Sequence, residues 1–171
     1  GYNTDAFGIL ESLQPYKDKI SGAKVSVIGA GGSARAVIYT LLRHFKPEEI
    51  NIINRTHQRA DTLANDFALK MRYDSFHTFE LFPPDNVKTL SDSHLIVNAT
   101  TMGMFPDVDS RPLLNYDLLN HNHILYDLVY NPELTSFLKA GKERGAIVIS
   151  GIKMLHAQAE KAWEIWNDIN L

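Results

Sequence analysis

The run Val25-Ser26-Val27-Ile28-Gly29-Ala30-Gly31-Gly32-Ser33-Ala34-Arg35-Ala36 carries a β-rich segment into three glycines and then into small residues. A strand that enters a helix through such a turn presents backbone amides, and the positive end of a helix dipole, to an anion. Gly29 would allow the tight turn, and Gly31 or Gly32 the close approach of backbone to a pyrophosphate. Ser33 and Ala34 would supply the first helical amides, and Ala34 and Ala36 would keep the helix near the sheet. Tight turns and close packing also select glycine. The position after a first core strand and before a helix favours dinucleotide binding.

The end of the next strand discriminates between dinucleotides. An NAD site usually places an Asp or Glu there, about 20 residues past the glycines, to hold the ribose 2′-hydroxyl. Here the chain reads Asn54-Arg55-Thr56-His57-Gln58-Arg59, with no acid until Asp61. Two guanidiniums and a hydroxyl suit a 2′-phosphate, because Arg offers a charged, bidentate fork. Thr56 is a candidate N-cap, which puts Arg59 in a first helical turn, where a cation opposes the dipole by some tenths of a kcal/mol. A bound phosphate would reverse that penalty, whereas a solvated basic surface would leave it standing. His57 is close enough to assist when protonated, and is otherwise a solvent-facing residue.

Three further segments each follow an apolar run: Asn98-Ala99-Thr100-Thr101-Met102-Gly103-Met104, Asp127-Leu128-Val129-Tyr130-Asn131-Pro132 and Ser150-Gly151-Ile152-Lys153-Met154. In an open α/β sheet, ligands lie at the carboxyl ends of the strands. Asn98 and Thr100 are placed to touch a cofactor or to orient their loop.

Short apolar runs at 25–28, 50–53, 94–97, 124–126 and 146–149 alternate with amphipathic stretches at about 33–45, 58–69 and 133–144. That alternation implies an α/β architecture with a mostly parallel sheet and helices on both faces. Fully apolar strands agree, since parallel strands are buried on both sides. Thr4 or Asp5 can cap a first helix that runs to about Leu13. A last helix, about 152–169, puts Leu155, Ala159, Ala162, Trp163 and Trp166 largely on one face, and the tryptophans are expected to pack in the core. Residues 73–93 read as irregular, with Pro83-Pro84 and a Phe76, Phe79, Phe82 series that packs one short element.

The chain has 171 residues, a formal net charge of −3, 44% hydrophobic and 22% charged residues, and no cysteine. This size predicts one domain with a substantial core. The charge balance argues against a strongly basic nucleic-acid binder, and no apolar run approaches the roughly 20 residues that span a bilayer. The lack of cysteine excludes disulfides and thiolate metal sites, and fits a reducing, cytoplasmic compartment. His121-Asn122-His123 reads as a solvated loop, with no metal site expected, and Lys17, Lys19 and Lys24 as surface charge. The opening Gly1-Tyr2-Asn3-Thr4-Asp5, without an initiator Met, suggests a fragment.

Taken in order, these motifs resemble the C-terminal, nucleotide-binding domain of the shikimate dehydrogenase family. The resemblance is carried by Gly1-Tyr2-Asn3-Thr4-Asp5 with Gly8, the turn from Gly29 to Ala36, and Asn54-Arg55-Thr56 with Arg59. It continues through Asn98-Ala99-Thr100 with Gly103-Met104, the Asp127 to Pro132 run, and Gly151 with Met154-Leu155 and Gln158. It implies a single Rossmann-like, doubly wound domain over residues 1–171 that binds NADP(H), in an enzyme reversibly reducing 3-dehydroshikimate to shikimate on the way to chorismate and aromatic amino acids. By this resemblance Asp5 matches the Asp of a catalytic Lys–Asp pair that also holds substrate hydroxyls. Gln158 matches a substrate-hydroxyl ligand, and Tyr130 a residue lining the substrate pocket. Gly151 and Met154 match residues beside the nicotinamide, Arg55, Thr56 and Arg59 the 2′-phosphate clamp, and Gly31, Gly32 and Ser33 the pyrophosphate loop.

Hydride delivered to a ketone leaves an alkoxide, so an acid must supply a proton, and a Lys tuned by a carboxylate is suited to that. In the family that Lys, with the groups holding the substrate carboxylate, lies in a domain before Asn-Thr-Asp, so this chain is expected to bind NADP(H) with little turnover alone. The helices at 1–15 and 152–171 would border the absent domain. A quinate-preferring dehydrogenase using NAD, and a non-catalytic dinucleotide-binding module, are the alternatives.

Overall fold

The computed structural model describes residues 3–81, 90–113 and 115–167. The opening Gly1 and Tyr2, and Phe82, Pro83 and Pro84, lie outside them. Six strands, β1 (Lys24–Ile28), β2 (Glu49–Asn54), β3 (Phe76–Glu80), β4 (Leu95–Asn98), β5 (Ile124–Asp127) and β6 (Ile147–Ile149), form one sheet in the order β3-β2-β1-β4-β5-β6. All neighbouring pairs are parallel. The helices are α1 (Thr4–Leu13), α2 (Lys17–Ile20), α3 (Gly32–Thr40), α4 (His57–Met71), α5 (Ser136–Glu143) and α6 (Gly151–Trp166).

Strand alternation divides the core in two. Val25, Val27, Ile50, Ile52, Leu95, Val97, Ile124 and Tyr126 face a layer built by α1, α3, α4 and α6. Ile28, Ile53, Ile96 and Leu125 face the opposite side, where Phe137 and Leu138 of α5 cover them. Side chains on successive strand residues point to opposite faces, so an apolar residue at nearly every position is what two covered faces require. Outward from β1, the chain winds one way through β2 and β3 and the other way through β4, β5 and β6. The carboxyl ends of β1 and β4 therefore border the reversal of strand order, where loops diverge and leave a crevice.

Several local expectations change. Asn3, rather than Thr4 or Asp5, caps α1: its Oδ1 accepts from Ala6 N at 3.2 Å. A sixth strand, β3, occupies part of the stretch read as irregular, paired on one side with β2. Thr135 Oγ1 accepts from Leu138 N at 3.3 Å, so α5 starts at Ser136, later than the amphipathic pattern from 133. Trp163 and Trp166 are 58% and 83% exposed, not in the core, because α6 presents that face away from the sheet. His123 is buried rather than solvated: its Nε2 lies 2.8 Å from Ser91 O, and its Nδ1 accepts from Asn120 N at 3.1 Å. Among the described residues, no cluster of three or more His, Cys, Asp or Glu side chains could hold a metal, and no helix is long and apolar enough to cross a membrane.

Candidate functional site

The glycines after β1 divide into two kinds. Gly29 has φ +114°, and a Cβ there would stand 2.9 Å from Ala99 O, so the neighbouring loop demands glycine. A Cβ on Gly31 or Gly32 would meet nothing within 4 Å, and neither residue has a positive φ. The protein gives no reason for the two missing side chains, whereas a group lying on the backbone does. Gly31 holds the N-cap position of α3 without a side-chain cap, which leaves the first-turn amides of Gly32, Ser33 and Ala34 to an outside acceptor. The open cradle thus fits a pyrophosphate.

At the end of β2, Asn54 Nδ2 donates to Thr56 O at 2.8 Å and shapes the turn into α4. Thr56 sits at the N-cap position with extended backbone, but its hydroxyl makes no cap bond. Arg55, Thr56 and Arg59 are exposed, and among the described residues neither guanidinium has an ion-pair partner. The next acid along the chain is engaged elsewhere: Thr78 Oγ1 of β3 donates a short hydrogen bond to Asp61 Oδ1. His57 is drawn to the same pair, its Nε2 lying 3.0 Å from Thr78 Oγ1 and 3.5 Å from Asp61 Oδ1. The result is an uncapped helix N-terminus flanked by two unpaired cations and a free hydroxyl, a donor set that fits a 2′-phosphate.

A third cluster lies toward the other end of the crevice. Asp5, Ser33, Tyr130, Gly151, Met154 and Gln158 line one open cleft of about 230 Å³. Asp5 stands in the first turn of α1, and its carboxylate has no hydrogen bond or ion pair among the described residues. Two glycines hold the walls together. A Cβ on Gly8 would stand 2.6 Å from Met154 O, and one on Gly151 2.8 Å from Val129 O. Arg55 and Arg59 lie outside this cleft.

Between cradle and cleft lies a network that spacing alone does not reveal. Asn98 is fully buried: its Nδ2 donates to Met102 O at 3.1 Å and to Asp127 Oδ1 at 2.9 Å. Its Oδ1 accepts from Thr100 N at 3.1 Å and Thr100 Oγ1 at 2.6 Å. These bonds orient the loop. Asp127, also fully buried, accepts from Val129 N at 3.0 Å and from Thr135 Oγ1 at 2.6 Å. Burial pushes the Asp127 carboxyl up to about 6, against the bonds from Thr135, Val129 and Asn98 that favour its charge.

Strand order, switch-point crevice and open glycine cradle together define a Rossmann-type α/β domain. The sequence profile of the Shikimate / quinate 5-dehydrogenase family matches residues 11–111. The chain belongs to that family. A shikimate dehydrogenase (NADP(+)) from Methanococcus aeolicus is 35% identical over 175 residues, an alignment covering 100% of this chain and 60% of the relative. The crystal structure of a shikimate dehydrogenase in complex with NADP+ superposes with a TM-score of 0.85 at 33% identity, over 97% of this chain and 56% of that one. A quinate dehydrogenase from Corynebacterium glutamicum, in complex with NAD, gives a TM-score of 0.85 at 26% identity, over 96% and 56%. The chain thus spans between 56% and 60% of the length of these three proteins.

Proposed function

We propose that this chain is the NADP(H)-binding part of an enzyme that reversibly reduces 3-dehydroshikimate to shikimate. The observation that carries the reading is the end of β2. Among the described residues Arg55 and Arg59 have no ion-pair partner beside an α4 without a side-chain cap, and Asp61, the next acid along the chain, is tied to Thr78. When bound, NADPH supplies hydride to a ketone carbon. Gly31, Gly32, Ser33 and Ala34 hold the pyrophosphate on their amides, and Arg55, Thr56 and Arg59 hold the 2′-phosphate. Asn54, Asn98 and Thr100 shape the loops around the dinucleotide, while Gly151 and Met154 flank its reactive end. Gln158 and Tyr130 face the substrate hydroxyls. Asp5, without a side-chain partner among the described residues, orients and tunes a lysine that protonates the nascent alkoxide.

That lysine and the substrate-carboxylate ligands belong, in this reading, to the rest of the relatives' length. The exposed Trp163 and Trp166 on α6 support a border with such a lobe. The chain alone is expected to bind NADPH and to show little turnover of shikimate with NADP+, followed by NADPH absorbance; sustained turnover would overturn that expectation. The similarity to a quinate dehydrogenase holding NAD supports a second reading, quinate oxidation with NAD. Calorimetry separates them: NADPH should bind far more tightly than NADH, and equal affinities would remove the clamp argument.

A further inference from the structure

Loops rise from the carboxyl ends of β4 and β5, whose last residues, Asn98 and Asp127, are register partners. The first loop walls the cradle, since Ala99 O is the atom a side chain on Gly29 would strike, and Ala99 N donates to Ile28 O at 2.9 Å. The second carries Tyr130 and packs under Gly151. Over residues 99–104 and 128–131 neither loop has regular secondary structure, so its shape depends on side-chain bonds.

One carboxylate supplies the links. Asp127 accepts from Asn98 at the foot of the first loop, from Val129 on its own loop, and from Thr135, whose hydroxyl in turn caps α5. Thr135 also backs the first loop, because a Cβ on Gly103 would lie 3.4 Å from Thr135 Cβ. A buried carboxylate without a cation partner is costly, and an apolar side chain would serve packing better. Its three donors come from three segments, which is what a tie between loops needs. Resting on the dinucleotide reading above, we infer that Asp127 is a positioning residue of the crevice. Its carboxylate locks the loops after β4 and β5 in one mutual arrangement, and so pre-shapes the wall on the cleft side of the ligand without touching it. The clamp at the end of β2 lies three strand spacings from β5, about 14 Å, and is independent of this lock.

The test titrates the 171-residue chain with NADPH and, separately, with adenosine 2′,5′-bisphosphate, which reaches the clamp and the first phosphate position of the cradle but not the cleft side. Asp127→Leu should weaken NADPH roughly tenfold or more while leaving the bisphosphate within about twofold, because lost pre-organisation is felt only where the loops reach. Asp127→Asn keeps both Oδ1 acceptor bonds and can turn its amide toward Thr135, so it should stay within about threefold of the parent. If Asp127→Leu does not fold, Thr135→Val removes the Oδ2 bond together with the side-chain cap of α5, and should weaken NADPH about threefold with no effect on the bisphosphate. Equal losses for the two ligands in a folded variant, no loss for NADPH, or an Asn variant as weak as the Leu one would overturn the inference. A parent chain that binds neither ligand would instead overturn the function proposed above, and the inference with it.

Discussion

On one side of β1, the chain leaves β2 through Arg55, Thr56 and Arg59, whose side chains are exposed and without partners among the described residues. On the other side, β4 and β5 end in Asn98 and Asp127, buried and bonded to Met102, Thr100, Val129 and Thr135. Both ends border one crevice, yet they prepare it by opposite means. The β2 side keeps charge in water, where it attracts a dianion and is screened by salt. The β4 and β5 side removes polar groups from water and fixes geometry. In the function proposed above, affinity would come from where the protein is least satisfied internally, and shape from where it is most satisfied.

The largest effect belongs to the charged side. The double substitution Arg55→Ala with Arg59→Ala should weaken NADPH by roughly a hundredfold or more while changing NADH by no more than about twofold, since each charge-assisted bond contributes about 1.5–3 kcal/mol. The salt dependence of NADPH binding, measured by calorimetry, should flatten in the same variant.

The glycine turn divides the comparison within four residues. Gly29→Ala should lower stability to urea by about 2 kcal/mol, because the residue combines φ +114° with a contact to Ala99 O. Gly31→Ala should leave stability within about 0.5 kcal/mol and weaken NADPH severalfold, since its Cβ would enter only the open cradle. Matching stability losses for the two variants would erase the distinction between a turn glycine and a ligand glycine.

The smallest effect belongs to the buried side. Asp127 has its carboxyl raised from 3.8 to about 6, so the folded state holds the proton more tightly than the unfolded one. The stability this group contributes is full below about pH 4 and is lost as pH rises through 6. Between pH 5 and 7 the loss is roughly 1 kcal/mol. In Asp127→Asn this component should vanish, so the difference between parent and variant stability curves should change with pH; a constant difference would contradict the raised carboxyl.

Much of this contrast is legible in the amino-acid sequence, but unevenly. The proposed cradle and clamp are contiguous stretches of chain, so their reading rests on residue order along one strand, turn and helix. The sheet followed from apolar runs covered on both faces. The edge strand Phe76–Glu80 escaped notice because a strand paired on one side needs no continuous apolar run. Trp163 and Trp166 are exposed where packing in the core is expected, because an amphipathic pattern identifies an apolar face without saying what covers it. Asp127 stood in a recognised segment, yet its partners at Asn98 and Thr135 come together only through strand register and the start of α5. The cap at Asn3 shows the same limit at short range, since Asn, Thr and Asp all serve as caps and local geometry chooses among them.

Gly8 has a role that its place in the sequence conceals. It lets α1 rest directly on α6 at Met154, and these helices carry Asp5 and Gln158 to the same cleft. The gap between that acid and that amide is gauged by a side chain that is missing. A methyl group at position 8 would act as a shim, prising the helices apart and widening the cleft while leaving every residue that lines it in place.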